Sequence, residues 1–343
     1  MKLLICGPSQ GVWGGIEAFQ LWLATSASKA GGIDVQVAFK LVEGFSLMGS
    51  LSEECDRSGV RYHVVERGSR ELAALIRWAD VVHGQNASPD ICVTAALFRR
   101  PLVLTIHNHL GQVGWKRRLL WRLCAKLAAR RWFNSNFVRT SWERHAPRRF
   151  SEAFPTVSFS NFDFSPCNQR AGFVFASRWI QNKGMDTLLE AYTSSTFDKT
   201  LWPLHLIGTG LLLEELQSHY QGMPGIYFHG FVSKEEKDRL MKGAKWLVAP
   251  PRTNEDMGLT PLEARRFGIP CIVTMDGGLP EVAGAGALLV PPGNPVALRE
   301  ALQKATQFLE TDYETLSVAT FEEVKNQIRP FSWYTDQYHD VLR

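Results

Sequence analysis

The densest grouping of reactive residue types is PPRTNEDMGLTPLEARRFGIPCIVTMDGGLPEVAG, residues 250–284. Glu255 and Glu263 stand eight residues apart with Gly258 between them, and the pattern predicts a helix starting near Thr260. Glu255 then sits in the loop over that helix and Glu263 on its first turns. The backbone N–H groups of Met257, Gly258, Leu259 and Thr260 would lack helical partners there and would face an anion. Glu263 suits two vicinal hydroxyls, such as those of a ribose, because an ionised carboxylate only accepts hydrogen bonds. Capping and dipole complementarity alone also place glutamates around a helix start.

A second grouping, ASRWIQNKG (176–184), sets Arg178 and Lys183 behind an apolar run. Two fixed cations at the carboxyl end of a strand match a diphosphate, which takes charge and several donors together. A basic pair in a loop is also an ordinary solvated surface. A third grouping, GPSQGVWGG (7–15), lets backbone N–H groups approach an anion at a helix start. Its spacing is not GxGxxG and no acidic residue follows at the end of a second strand, so a nicotinamide cofactor is disfavoured. Glycine-rich turns also occur in such folds without a ligand. None of the thirteen aspartates lies two residues from another, so the Asp-x-Asp pair typical of metal-dependent transferases is missing. His107 and His109 can face one way on a strand end. With no third ligand nearby, no metal site is predicted there.

Regular elements must position these residues. Strand-like runs at 3–6, 35–39, 79–84 and 101–107 alternate with helical patterns at 16–30, 47–58, 69–78 and 115–131. The cycle restarts with strands at 172–177, 203–208, 226–230, 246–250, 270–274 and 286–290. Helices fit between and after them at 184–195, 211–220, 233–243, 260–267, 278–283 and 295–309. Strands separated by helices predict parallel sheets covered on both faces. The polar, irregular SFSNFDFSPCNQR (158–170) reads as the linker. The fold class is therefore α/β, with two doubly wound domains and a ligand cleft between the carboxyl ends of their sheets.

The length of 343 residues accommodates two domains, and an apolar fraction of 45% excludes a disordered chain. No apolar run approaches the roughly 20 residues of a membrane span. The start, MKLLICGPSQG, is too short in apolar residues for a signal-peptide core. The six cysteines lie more than thirty residues apart without a CxxC, which predicts reduced thiols in a cytosol, neither a zinc site nor disulfides. The net charge of +4 is uneven: residues 1–163 hold 21 Lys and Arg against 13 Asp and Glu, and the remainder 17 against 21. Within 99–150 there are thirteen Lys or Arg and one acidic residue, Glu143. WKRRLLWRLCAKLAARRWF (115–133) mixes seven of those cations with Trp, Leu and Phe at helical spacing. Such a helix suits an anionic membrane or a lipid-linked or acidic acceptor. Equally, it can pack its apolar face on a sheet with solvated arginines outside. Nucleic acid fits poorly, since no binding module appears and the pI of 8.7 is modest.

The motifs GVWGGIE (11–17), TIHN (105–108), R-x4-KG (178–184), LIGTG (206–210), HGFV (229–232), E-x7-E (255–263), GGLPE (277–281) and FSW..Y..QY (331–338) occur in order. With them the chain resembles, over nearly its whole length, the retaining nucleotide-sugar glycosyltransferases of GT-B architecture, family 4 in particular. The resemblance implies two facing Rossmann-like domains, an acceptor-binding one at 1–163 and a donor-binding one at 164–324. Segment 325–343 would cross back onto the first domain as a helix. It further implies that Arg178 and Lys183 hold the donor diphosphate and stabilise charge on the departing nucleotide. Glu263 would bind the ribose, Glu255 the transferred sugar, and the amides of Met257, Gly258, Leu259 and Thr260 the phosphate and sugar. Gly208 would belong to the donor site, and Phe231 and Val232 would meet the base. Gly14 and Gly15 would close over the phosphate, and His107 would contact the donor sugar near the reacting centre. His107, Arg178, Lys183 and Glu255 would form the catalytic set.

Two departures stand out. Members usually read E-G-F-G where this chain has Glu255-Asp256-Met257-Gly258, which adds a carboxylate beside an anionic donor. TIHN replaces a TIHD-like ending, so Asn108 can hydrogen-bond but cannot act as a base. No nucleophile is assigned. The implied activity is retaining, metal-independent transfer from a nucleoside-diphosphate sugar, foremost a UDP-sugar, with no other cofactor. The acceptor would be a glycan or lipid-linked molecule in cell-surface or exported polysaccharide synthesis at the cytoplasmic membrane face. A UDP-sugar 2-epimerase of the same architecture, a dinucleotide oxidoreductase and a non-catalytic nucleotide-sugar-binding protein are the alternatives.

Overall fold

The computed structural model describes residues 1–111, 113–143, 149–253 and 255–343; Arg144 and Arg148 of the basic segment lie outside them. The chain divides into two units, Met1–Ser160 with Ile328–Arg343, and Asn161–Gln327.

In the first unit the chain alternates β1 (Lys2–Ser9), α1 (Gly15–Ala30), β2 (Asp34–Leu41), α2 (Gly49–Ser58), β3 (Tyr62–Val65), α3 (Arg70–Trp78) and β4 (Val81–Gln85). It continues with α4 (Pro89–Leu97), β5 (Leu102–Ile106), α5 (Trp115–Ala125), β6 (Arg130–Phe133), α6 (Asn136–Trp142) and β7 (Ser151–Ala153). The sheet is parallel in the order β3-β2-β1-β4-β5-β6-β7. Successive residues of β1 face opposite ways, as a pleated strand requires. Leu4 and Cys6 join the core formed with α3, α4 and α5, while Leu3 and Ile5 join the core formed with α1 and α2.

The second unit repeats the scheme with β8 (Phe173–Ala176), α7 (Met185–Thr193), β9 (Leu204–Ile207), α8 (Leu213–Tyr220), β10 (Ile226–Gly230), α9 (Lys234–Lys242) and β11 (Trp246–Ala249). Then come α10 (Leu259–Arg265), β12 (Cys271–Thr274), α11 (Leu279–Ala283), β13 (Leu288–Val290), α12 (Pro295–Thr306) and α13 (Glu310–Gln327). Its parallel order is β10-β9-β8-β11-β12-β13. Helix α14 (Phe331–Asp340) returns to the first unit, where Tyr334 and Tyr338 are buried in the α1-side core. The Tyr338 hydroxyl hydrogen-bonds His83 Nδ1 at 2.8 Å, and His83 Nε2 meets Thr105 Oγ1 at 2.7 Å.

One expectation is corrected. The helix expected over 115–131, and the amphipathic reading of 115–133, both end at Ala125, because Arg130–Phe133 forms β6 between β5 and β7. Trp132 enters the α1-side core and Phe133 the opposite one, a period of two that arginine-rich composition masks. The segment read as the linker, 158–170, holds the boundary between the two units at Ser160 and Asn161, and its far end is anchored in the second unit. After a single 3-10 turn, Cys167–Gln169, the buried Arg170 donates to the carbonyls of Ser165, Phe267 (2.9 Å) and Gly268 (2.8 Å). It also donates to Ser317 Oγ (2.9 Å) and Tyr313 Oη (3.1 Å).

Replacing Arg170 with Leu strands these buried acceptors and should cost about 3 kcal/mol. A melting curve of the variant should show the second unit unfolding roughly 6–12 °C lower, and an unchanged midpoint would refute its anchoring role.

Candidate functional site

In each sheet the strand order reverses once, between β1 and β4 and between β8 and β11. Loops leaving the carboxyl ends of such strands diverge and leave room for a ligand.

In the second unit this topology gathers most of the candidate residues. Arg178 is exposed two residues past β8, and Glu255 lies six past β11. Thr260 Oγ1 donates to the Ala176 carbonyl at 3.1 Å, tying the start of α10 to the end of β8. Lys183, on the turn Gln181–Lys183, forms an ion pair with Glu255. Arg252 N donates to the Asn182 carbonyl at 2.8 Å, and its guanidinium pairs with Asp186 at 2.6 Å, clamping the same two loops. Glu263 lies one turn beyond Thr260 and pairs with Lys237 of α9 at 2.8 Å. Gly258 caps α10, preceded by the buried Met257. Phe231, 85% exposed, and the half-buried Val232 follow β10, two strands from β8. Helix α9, which starts just after them, carries Lys237 to Glu263.

Two glycines explain motifs that carry no reactive group. Gly277 has φ 62°, and a Cβ there would lie 2.2 Å from the Glu255 carbonyl oxygen. That oxygen accepts from Gly278 N at 2.7 Å, so GGLPE holds the Glu255 loop from behind. Gly208 has φ 126°, and a Cβ would lie 1.9 Å from the Ser177 carbonyl oxygen. Trp179 N donates to the Thr209 carbonyl at 2.9 Å, so Gly208 seats the Arg178 loop.

In the first unit Gly14 caps α1 in extended conformation and Gly15 is its exposed first residue. Gly11 N donates to Ser9 Oγ at 3.0 Å, and that hydroxyl donates to Glu17 Oε1 at 2.7 Å. Burial raises the Glu17 pKa, against the opposing pull of the Ser9 hydrogen bond. His107 follows β5 and is held on every side. Its N–H donates to Asn86 Oδ1 at 2.9 Å, its carbonyl accepts from Asn134 Nδ2 at 2.9 Å, and its Nε2 donates to Gln85 Oε1 at 2.7 Å. Phe19 meets the ring edge-on at 5.7 Å. His109 packs against Phe137.

The sequence reading missed Glu17, Gln85, Asn86, Asn134, Lys237 and Arg252. The polar Gly-Gln-Asn run at 84–86, directly behind an apolar strand, was the available signal. Among the described residues, no three His, Cys, Asp or Glu side chains gather as a metal-binding group. The six cysteines are free and buried.

Burial lowers the pKa of both His83 and His107 to about 3, and His107 adds to the effect on His83. Both rings regain a value near 6.5 on unfolding, so between these limits the unfolded chain binds more protons than the folded one. Stability should therefore fall as pH drops from about 6.5 towards 3, by roughly 2 kcal/mol per ring at pH 5. Melting of a His83→Gln, His107→Gln double variant should be less acid-sensitive than wild type; equal sensitivity would refute the assignment.

Residues 170–307 match the family model of Glycosyl transferases group 1. Among curated proteins none matches the sequence. Among solved structures, Anabaena Alr3699/HepE in complex with UDP is similar at a TM-score of 0.81 and 17% identity, covering 100% of this chain and 99% of that one. A glycosyltransferase from Rickettsia africae ESF-5 has a TM-score of 0.77 and 16% identity over 100% of this chain and 98% of that one. The lipopolysaccharide outer core galactosyltransferase WaaB, in its apo form, has a TM-score of 0.66 and 16% identity over 99% of each. No helix among the described residues is long and apolar enough to cross a membrane. The two Rossmann-like sheets are those of the GT-B fold, and within the second unit residues 170–307 match the Glycosyl transferases group 1 family.

Proposed function

We propose that the chain transfers a sugar from a UDP-sugar, with retention of configuration and without a metal, to a glycan or lipid-linked acceptor. The second unit would be the donor-binding domain and the first the acceptor-binding domain, working in cell-surface or exported polysaccharide synthesis at the cytoplasmic membrane face. The observation that carries this reading is the Lys183–Glu255 pair beside Arg178 and Thr260 at the β8–β11 reversal.

Departure of a nucleoside diphosphate builds anionic charge on the leaving oxygen. Cations fixed in place beforehand stabilise that charge without reorganising. Lys183 and Arg178 supply two such charges, which is the role a divalent ion takes in other transferases. An ammonium has three donors, so Lys183 can retain Glu255 while meeting a phosphate oxygen. Glu255 would accept from hydroxyls of the transferred sugar. Glu263, oriented by Lys237, would accept from the ribose. His107 is neutral, so it offers a sugar hydroxyl a hydrogen bond rather than a charge. The UDP and UDP-glucose complexes of Alr3699/HepE support the donor class. The name of WaaB supports a glycan acceptor. Retention is inferred from the family-4-like motifs.

Thermal shifts with UDP- and GDP-sugars should show stabilisation by a UDP-sugar, and none by any nucleotide sugar would overturn the reading. Lys183→Ala and Glu255→Gln should each cut kcat by about 100- to 1000-fold. Wild-type rates in either would remove that residue from the mechanism. Activity should survive EDTA, and NMR of the product should show the donor's anomeric configuration. Isomerisation of the UDP-sugar without any acceptor would instead establish an epimerase.

A further inference from the structure

We infer that the α4–α5 face of the first unit docks on an anionic lipid surface. This deepens the proposed function by naming a partner for the acceptor-binding unit, and rests on it only for why a membrane is near.

Helix α5 buries only Cys124 and Ala125. Its large apolar residues point outward instead: Trp115 is 71% exposed, Leu119 53%, Leu120 46% and Leu123 48%. Trp115, Leu119 and Leu123 are spaced by four and form one stripe along the helix. Leu127, just past its end, and Leu97 of the neighbouring α4 are exposed as well. A grouped apolar exposure of this kind marks an interaction surface, whereas scattered exposed leucines would not.

The charges are sorted in the same sense. Arg118 and Arg122 turn inward and donate to the carbonyls of Gly111 (3.0 Å) and Ser141 (2.9 Å), fixing the helix to its unit. Arg99, Lys116, Arg117 and Lys126 are exposed with the leucines. From residue 91 to residue 142 there is no Asp or Glu. Leucine and tryptophan flanked by Lys and Arg suit a bilayer interface, where the apolar groups enter the headgroup boundary and the cations meet anionic lipid. A second copy fits worse, because a two-fold contact would set this basic face against itself. The surface thereby resolves the ambiguity left by the sequence, since the leucine face is not spent on the sheet.

The test is flotation of the full chain with phosphatidylcholine vesicles, with and without phosphatidylglycerol. Wild type should bind the anionic vesicles at least tenfold more tightly than the neutral ones. The variants L119E/L123E and K116E/R117E should each lose roughly tenfold or more. Both should keep the wild-type melting midpoint and UDP affinity, which shows that they fold. Equal binding to both vesicles, binding to neither, or undiminished binding by folded variants would overturn the inference. So would a dimer that L119E/L123E dissociates in light scattering when no vesicle binding is seen. Vesicle binding by a wild type that fails to bind UDP would support this surface and sink the donor reading alone.

Discussion

The ion pair between Lys183 and Glu255 joins the loop after β8 to the loop after β11, and the candidate donor site depends on those two loops meeting. The pair itself is too weak to bring them together. Its side chains are only 18% and 20% exposed, and the cost of burying both charges offsets much of the attraction between them. The meeting is enforced by backbone: Thr260 on the Ala176 carbonyl, Arg252 N on the Asn182 carbonyl, and Gly278 N on the Glu255 carbonyl. Two charged groups are thus held at contact by a frame that does not need their attraction. Such groups can exchange partners at little cost, which a site that must bind and release an anion requires.

The first unit solves a different problem with the same topology. At its reversal point the buried His107 is tied by hydrogen bonds to Gln85, Asn86 and Asn134. A neutral imidazole can exchange hydrogen bonds and carries no charge to offer a diphosphate. The second unit offers Arg178 and Lys183 on the loop after β8 and Lys237 on α9. One strand order, used twice, therefore presents a hydrogen-bonded histidine in one unit and a group of cations in the other.

What was legible in the sequence follows from which signals are local. The βα alternation and the residues behind β8 and β11 were readable, because an apolar strand followed by Gly, Arg, Lys or Glu declares itself within ten residues. Strand β6 was not: in Arg130–Phe133 the alternation is two residues long on each face and continues an arginine-rich helix without a break. The role of Arg170 was equally invisible, since its acceptors are as distant as Phe267, Tyr313 and Ser317. Gln85, Asn86 and Asn134 were missed for the same reason, as each gains its meaning from His107, a neighbour only across the sheet.

Helix α5 shows where periodicity stops being informative. A 3.6-residue pattern establishes that a helix has an apolar face; it does not say what covers that face. Here small residues do the packing. Cys124 and Ala125 of α5 share their core with Cys92 and Ala95 of α4, so the leucines lie on the side away from that contact. Burying its three leucines and Trp115 instead would have turned Cys124 and Ala125 out, because the two sets occupy different sides of one rigid helix. The net charge of +8 in residues 1–163 acquires a direction from this arrangement, since its densest block surrounds a face that is apolar and uncovered. Charge alone would steer the first unit towards any anion. Charge together with exposed leucine selects an anion that has hydrocarbon beneath it.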